Sequence, residues 1–167
     1  MDFHEYANIF PMLGEEELED LCADIKKNGQ LEPVVLLDGK VLDGRNRVTA
    51  CKMMGMVPLT IDFEEVTEGH RCDPIIYIVS KNLKRRHLTT SQRAMIAEKI
   101  ANMPRGSNQH AKNLACSIDN VAKQFNVSDE SIRQARKVHT DAIPEVADAV
   151  ESGGLTHFVC NIGGGFY

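Results

Sequence analysis

The chain has 167 residues, enough for one good core or two small ones, and its 26% charged and 43% hydrophobic content is that of a globular protein in water. No apolar run nears the roughly 18 residues of a membrane span, and Met1-Asp2-Phe3-His4-Glu5 lacks the basic, apolar layout of a signal peptide. A net charge of −5 taken alone argues against a nucleic-acid partner.

The distribution of charge along the chain points the other way. Residues 1–80 carry 7 Lys+Arg against 16 Asp+Glu, residues 81–137 carry 12 against 4, and residues 138–167 carry none against 4. A +8 block inside an acidic chain is an electrostatic footprint for a polyanion. The five cysteines are scattered with no CxxC pair, which predicts reduced cytoplasmic thiols, and the six histidines show no metal-ligand spacing.

In chain order, residues 14–28 predict an amphipathic helix. Glu15, Glu16 and Glu17 favour its start, Leu18, Leu21, Cys22 and Ile25 recur on one face, and Lys26-Lys27 precede Gly29. Val34–Leu37 and Lys40–Leu42 flank Asp38-Gly39, the signature of a tight hairpin. A second Asp-Gly, Asp43-Gly44, ends the strand, and a helix runs from there to Gly55. Leu59 to Val66 predicts a strand with Ile61 and Phe63 on one face. Asp73-Pro74 suits a helix start, but the β-branched run Ile75–Val79 leaves helix and strand both open. Thr89 or Thr90 caps a helix reaching Met103, and residues 104–113 predict a mobile polar loop. The domain boundary is expected within residues 68–90.

Two stretches carry candidate chemistry. Gly44-Arg45-Asn46-Arg47 sits where a hairpin hands over to a helix, so two arginines occupy the positive end of a helix dipole. They either face a bound anion or pair with Asp43 and nearby acids. Lys81-Asn82-Leu83-Lys84-Arg85-Arg86-His87 is a second basic cluster suited to phosphates, with an amide at Asn82 for a ribose, a base or a metal-bound water.

Residues 118–137 predict a helix-turn-helix. Ala122 is the small residue at the helix crossing, and Asn126 tolerates the left-handed turn. Val121, Phe125, Val127, Ile132 and Ala135 form the packed faces, with Ser128 or Asp129 as the cap. The second helix is expected to expose Ser131, Arg133, Gln134, Arg136 and Lys137 toward a major groove. With Lys123 and Ser128, these make up the candidate DNA contacts.

Gly29-Gln30-Leu31-Glu32-Pro33-Val34, Asp43-Gly44-Arg45-Asn46-Arg47, Lys81-Asn82-Leu83-Lys84-Arg85 and then a helix-turn-helix, in that order, resemble the ParB partition-protein family. The likeness is nearest to the short ParB-like proteins of mobile elements and spans roughly residues 5–157. It implies an α+β chain. A small mixed-sheet ParB/sulfiredoxin-like nucleotide-binding domain would cover 1–80, a helical DNA-binding domain 81–160, and a disordered tail 161–167. It further implies that Gly44, Arg45, Asn46, Arg47, Asn82, Lys84 and Arg85 hold the triphosphate and magnesium of CTP, the metal through Asn82. Gln30, Glu32 and Pro33 would face the base. The partners implied are double-stranded DNA, a second copy of the chain and a partition ATPase. The setting would be cytoplasmic, on a nucleoid or plasmid.

The chain departs from the family pattern in three places. Lys81 stands where the family commonly has the glutamate associated with nucleotide hydrolysis, which weakens the case for turnover as a CTP hydrolase more than for binding. Asn46-Arg47 replaces a pair of arginines, and the C-terminal dimerisation domain of longer members is missing, the Gly163-Gly164-Gly165 tail resembling a truncation. Sulfiredoxin chemistry is excluded because Asn46 stands where a cysteine nucleophile is needed. The remaining alternatives are a kinase or nuclease using Asp43 and Glu32 for metal, and an adaptor docking through the acidic helix Glu15 to Asp24.

Overall fold

The computed structural model describes residues 1–70, 72–85, 88–103, 123 and 125–154. The chain divides into two compact units, Met1–Asn82 and Leu83–Tyr167. Its secondary structure is mixed α+β.

In the first unit, helix α1 (Glu15–Asn28) begins where the Gly14 N–H donates to Glu17 at 3.1 Å. Acidic residues fill its first turn and Lys26-Lys27 its last, each complementing the helix dipole. Its apolar stripe, Leu18, Leu21, Cys22 and Ile25, packs on Ala50, Cys51 and Met54 of α2 (Arg45–Met53) and its C-cap. Burial of Ile25 alone contributes about 1.5–3 kcal/mol. Helix α2 stops at Gly55, whose φ of 66° lets the Gly55 N–H reach the Lys52 carbonyl and the Met56 N–H that of Cys51.

Strands β1 (Val34–Leu37) and β2 (Lys40–Asp43) are antiparallel, joined by Asp38 and Gly39 with φ of 50° and 72°. Two positive φ angles in a two-residue loop match the right-handed twist of the strands. The register slips between Val35↔Asp43 and Leu36↔Val41, a bulge that gives β2 one extra residue just before Asp43. Strand β3 (Thr60–Asp62) runs parallel to β1, so the order is β2-β1-β3. Backbone bonds between Val41 and residues 2 and 4 cover the other side of β2.

The strand expected from Leu59 to Val66 ends at Asp62, and Phe63–Val66 is a short helix, α3. A strand would turn one of the adjacent Glu64 and Glu65 inward. A helical turn leaves both exposed while Phe63 is buried and Val66, three residues on, is half-buried. Helix α4 (Pro74–Arg85) resolves the open choice at Ile75–Val79. Asp73 Oδ1 accepts the N–H groups of Ile75 and Ile76, at 2.8 and 3.3 Å. Ile75, Ile78 and Val79 are buried at helical spacing, and that packing outweighs β propensity.

The second unit contains α5 (Thr90–Asn102), α6 (Asp129–Asp141) and α7 (Pro144–Ser152). Thr89 caps α5 in a reciprocal box with Gln92. Ala94 and Met95, Ala135 and Val138, and Val150 form a core that Val127, Ala142 and Ala147 extend. Gly153, at φ 88°, ends α7 beneath the Gln92 amide, which donates to the Glu151 carbonyl at 3.0 Å. The expected loop at 104–113, Val121, Ala122 and the tail at 161–167 lie outside the described residues. No described helix is long and apolar enough to cross a membrane.

Candidate functional site

In the first unit two of the candidate residues, Arg47 and Asn82, meet at Asp43, which the β2 bulge delivers to the start of α2. Asp43 Oδ2 lies 3.0 Å from Arg47 Nη2, and Asp43 Oδ1 accepts from Asn82 Nδ2 at 3.2 Å. The Asn82 amide also donates to the Ile78 carbonyl at 2.9 Å, so α4 fixes its orientation. One carboxylate thus joins the two motifs, across 39 positions of sequence.

Arg47 also donates to the Pro33 carbonyl at 3.2 Å and reaches Glu32 at 3.5 Å. Its guanidinium folds back over Gly44, where an added Cβ would fall 2.9 Å from Nη2. Gly44 has φ 103° and, lacking a side chain, gives α2 no side-chain cap. Helix geometry leaves the first N–H groups of α2 without intrahelical acceptors. Arg47 Nε is shut off from solvent and, among the described residues, has no acceptor.

Arg45 is committed elsewhere, to the Asn8 side chain at 2.7 Å and to the Phe10 carbonyl. Asn46 Oδ1 accepts the Leu13 N–H at 3.2 Å. Both residues therefore tie the N-terminal segment to α2. Gln30 has a similar role. Its NH2 group donates to the carbonyls of Glu32 and Leu59, at 2.9 and 2.8 Å, and its side-chain oxygen accepts the Leu59 N–H at 2.8 Å. Lys84 and Arg85 continue α4 in the backbone and belong to the second unit; their side chains lie outside the described residues.

Sequence reasoning passed over Tyr77. Its ring meets Phe63 edge-on, with centroids 5.3 Å apart, and Lys81 Nζ lies 5.7 Å from the Tyr77 centroid. Burial pushes the Tyr77 phenol up from its ordinary pKa, and the Asp43 carboxylate adds to the shift. An aromatic followed four residues later by a lysine on a helix was the available signal.

The donor set fits a polyphosphate carrying a divalent cation. It offers the first-turn N–H groups of α2, an arginine with an unused buried donor, a carboxylate and a carboxamide. Among the described residues no group of three or more His, Cys, Asp or Glu is placed to hold a metal ion. Phosphate oxygens would therefore have to complete the coordination of a magnesium ion.

In the second unit, Lys123 is helical and exposed, and Phe125 is buried. Asn126 takes φ 50°, and Ser128 caps α6 by accepting the Ser131 N–H at 3.1 Å. Arg133 and Lys137 are exposed.

Two expectations for this helix, those for Ser131 and Gln134, need correction. Ser131 is buried, 5% exposed, with its hydroxyl 2.8 Å from that of Ser128, because the capping turn draws it inward. Gln134 is half-buried, one residue before buried Ala135, and reaches Glu130 at 3.4 Å. Arg136 is exposed but anchored, donating to Asn102 Oδ1 at 2.8 Å with its Nε 3.7 Å from Glu98.

Glu98 belongs to a network that the sequence did not reveal. Its Oε2 lies 2.5 Å from His139 Nδ1, His139 Nε2 lies 2.9 Å from Glu151, and Glu151 pairs with Lys99 at 2.7 Å. The carboxylates of Glu151 and Glu98 raise the His139 pKa to about 9, and the bond from His139, with Lys99, lowers that of Glu151 to about 2. Compared with protein-family models and with curated proteins, the chain matches none of either, so its function is to be read from these two sites.

Proposed function

We propose that the chain is a DNA-binding, ParB-like partition or regulatory protein that acts as a dimer on duplex DNA under control of CTP and magnesium. The observation that carries this reading is the turn at Asn126 (φ 50°) leading into Ser128-capped α6, which presents Arg133 and Lys137 to solvent. A left-handed residue leading into a capped helix that turns arginine and lysine side chains to solvent matches the layout of a groove-reading module. Lys123 and Arg136 would add phosphate contacts, Arg136 at the cost of its bond to Asn102.

CTP would sit at the start of α2. Gly44 and Arg47 would hold the phosphates, Asn82 the magnesium, and the Glu32 and Pro33 segment the base, while Arg45, Asn46 and Gln30 would brace the site through their bonds to the N-terminal segment and to Leu59. The cation, when bound with the triphosphate, supplies charge neutralisation between phosphate oxygens. Lys81 replaces a hydrolysis-associated carboxylate, which favours nucleotide as a binding signal over nucleotide as a substrate. A partition ATPase is the partner that the resemblance adds, and the nucleoid or a plasmid is the expected location in the cytoplasm.

Fluorescence anisotropy of a labelled duplex, titrated with the chain over roughly 50–300 mM salt, tests the reading. Binding whose log affinity falls linearly with log salt is expected. No binding at the lowest salt, or salt-insensitive binding, removes it.

A further inference from the structure

We propose that Asp43 is a charge pivot: its carboxylate holds Arg47 and Asn82 until a magnesium-bearing triphosphate takes over the arginine, and it then becomes a ligand to the cation. This rests on the nucleotide reading above and adds a residue and an order of events to it. Asp43 touches both motifs, using Oδ2 for Arg47 at 3.0 Å and Oδ1 for Asn82 at 3.2 Å.

Three observations support an exchange over a fixed structural pair. Arg47 leaves Nε buried without an acceptor among the described residues while its other nitrogens are spread over Asp43, Glu32 and the Pro33 carbonyl. A phosphate oxygen beside Gly44 would satisfy that donor and would compete with Asp43 for the same guanidinium. The guanidinium occupies the space beside Gly44 that a side chain would otherwise fill, an added Cβ there falling 2.9 Å from Nη2 and 3.1 Å from Nε. Asp43, once released, would be an uncompensated carboxylate 3.2 Å from a carboxamide, and a divalent cation relieves that charge. Because the described residues hold no cluster of three acidic, histidine or cysteine ligands, the cation would arrive with phosphate oxygens and not alone.

The Lys81 ammonium, next in sequence to Asn82, rests over the Tyr77 ring. Asp43 is then the carboxylate that stands by Asn82, on a different element from the family's glutamate.

Calorimetric titration of the whole chain with CTP, in magnesium and in EDTA, tests the pivot on wild type, Asp43→Asn and Asn82→Ala, with thermal melting of each variant as the folding check. The wild-type chain should bind more weakly in EDTA. Asp43→Asn should bind metal-free CTP about tenfold more tightly than wild type, having lost the competing anion, and should lose the response to magnesium. Asn82→Ala should show a reduced magnesium response.

An Asp43→Asn chain with wild-type magnesium dependence, or with weaker binding in EDTA, overturns the pivot and leaves the nucleotide reading standing. If Asp43→Asn does not fold, an unchanged magnesium response in Asn82→Ala overturns it instead. Absence of CTP binding by the wild-type chain in both buffers removes the nucleotide reading, and the pivot with it.

Discussion

Glu98 on α5 and His139 on α6 meet at 2.5 Å, and the far side of the same imidazole lies 2.9 Å from Glu151 on α7. A protonated histidine held between two carboxylates ties together these three helices of the second unit. It also makes their stability depend on pH in a defined direction. The folded-state pKa of His139 is raised to about 9 from its ordinary 6.5, so its contribution is full below 6.5 and is lost as pH rises to about 9. Glu151 is lowered from 4.5 to about 2, so its contribution is full above 4.5 and is lost as pH falls toward 2. The melting temperature should peak between these limits. His139→Gln should flatten the alkaline limb and, since solvent screens the half-open network, cost about 1 kcal/mol near pH ~6. A series of thermal melts from about pH 4 to about pH 10 measures both.

Gly44→Ala should destabilise the first unit. Its φ of 103° strains any residue with a Cβ, and that atom would press on the Arg47 guanidinium at 2.9 Å. A loss of about 1–3 kcal/mol in denaturant unfolding is expected. Gly39→Ala, with φ 72° and open space around it, should cost less, because only the strain applies.

Arg133→Ala and Lys137→Ala should each weaken DNA binding and reduce the salt slope by about 1. Ser131→Ala should leave the slope unchanged, since its hydroxyl faces Ser128 inside the unit. Ser128→Ala should lower stability by about 1 kcal/mol through loss of the α6 cap. Anisotropy titrations and thermal melts separate these two classes of effect.

Gln30→Ala removes three hydrogen bonds to the backbone of Glu32 and Leu59. The loss should be about 0.5–1.5 kcal/mol, because the Leu59 N–H and its neighbours are exposed and water takes the place of the amide. Chemical denaturation checks the value.

The features legible in the sequence were those that local chemistry fixes. Asp38-Gly39 forced its turn, Asp73 capped α4 and Asn126 took the left-handed region, because each choice is settled by a few adjacent atoms. The Phe63–Val66 helix was missed because β-branched and aromatic residues suggest a strand, and only the need to keep Glu64 and Glu65 exposed decides otherwise. Ser131 was read as exposed because a polar residue early in a helix usually is; its bond to Ser128 depends on how the cap folds. The Asp43–Asn82 contact, and that of Glu98 with His139, join residues 39 and 41 positions apart, and no spacing rule reports such a meeting. The two arginines at the start of α2 posed a choice between anion and ion pair. Arg47 takes Asp43 and Glu32, while Arg45 binds a carbonyl and an amide of the N-terminal segment.

The slipped register of β2 carries a cost that regularity would remove. Excising Leu42 would let every residue of the hairpin find an even partner, and the sheet alone would gain by it. The same deletion would take the buried Leu42 side chain out of the core and shorten the run from Val41 to the Gly44 turn by one residue. Asp43 bridges Arg47 and Asn82 from the end of that run, so a tidier hairpin would strain the connection between the chain's two basic motifs.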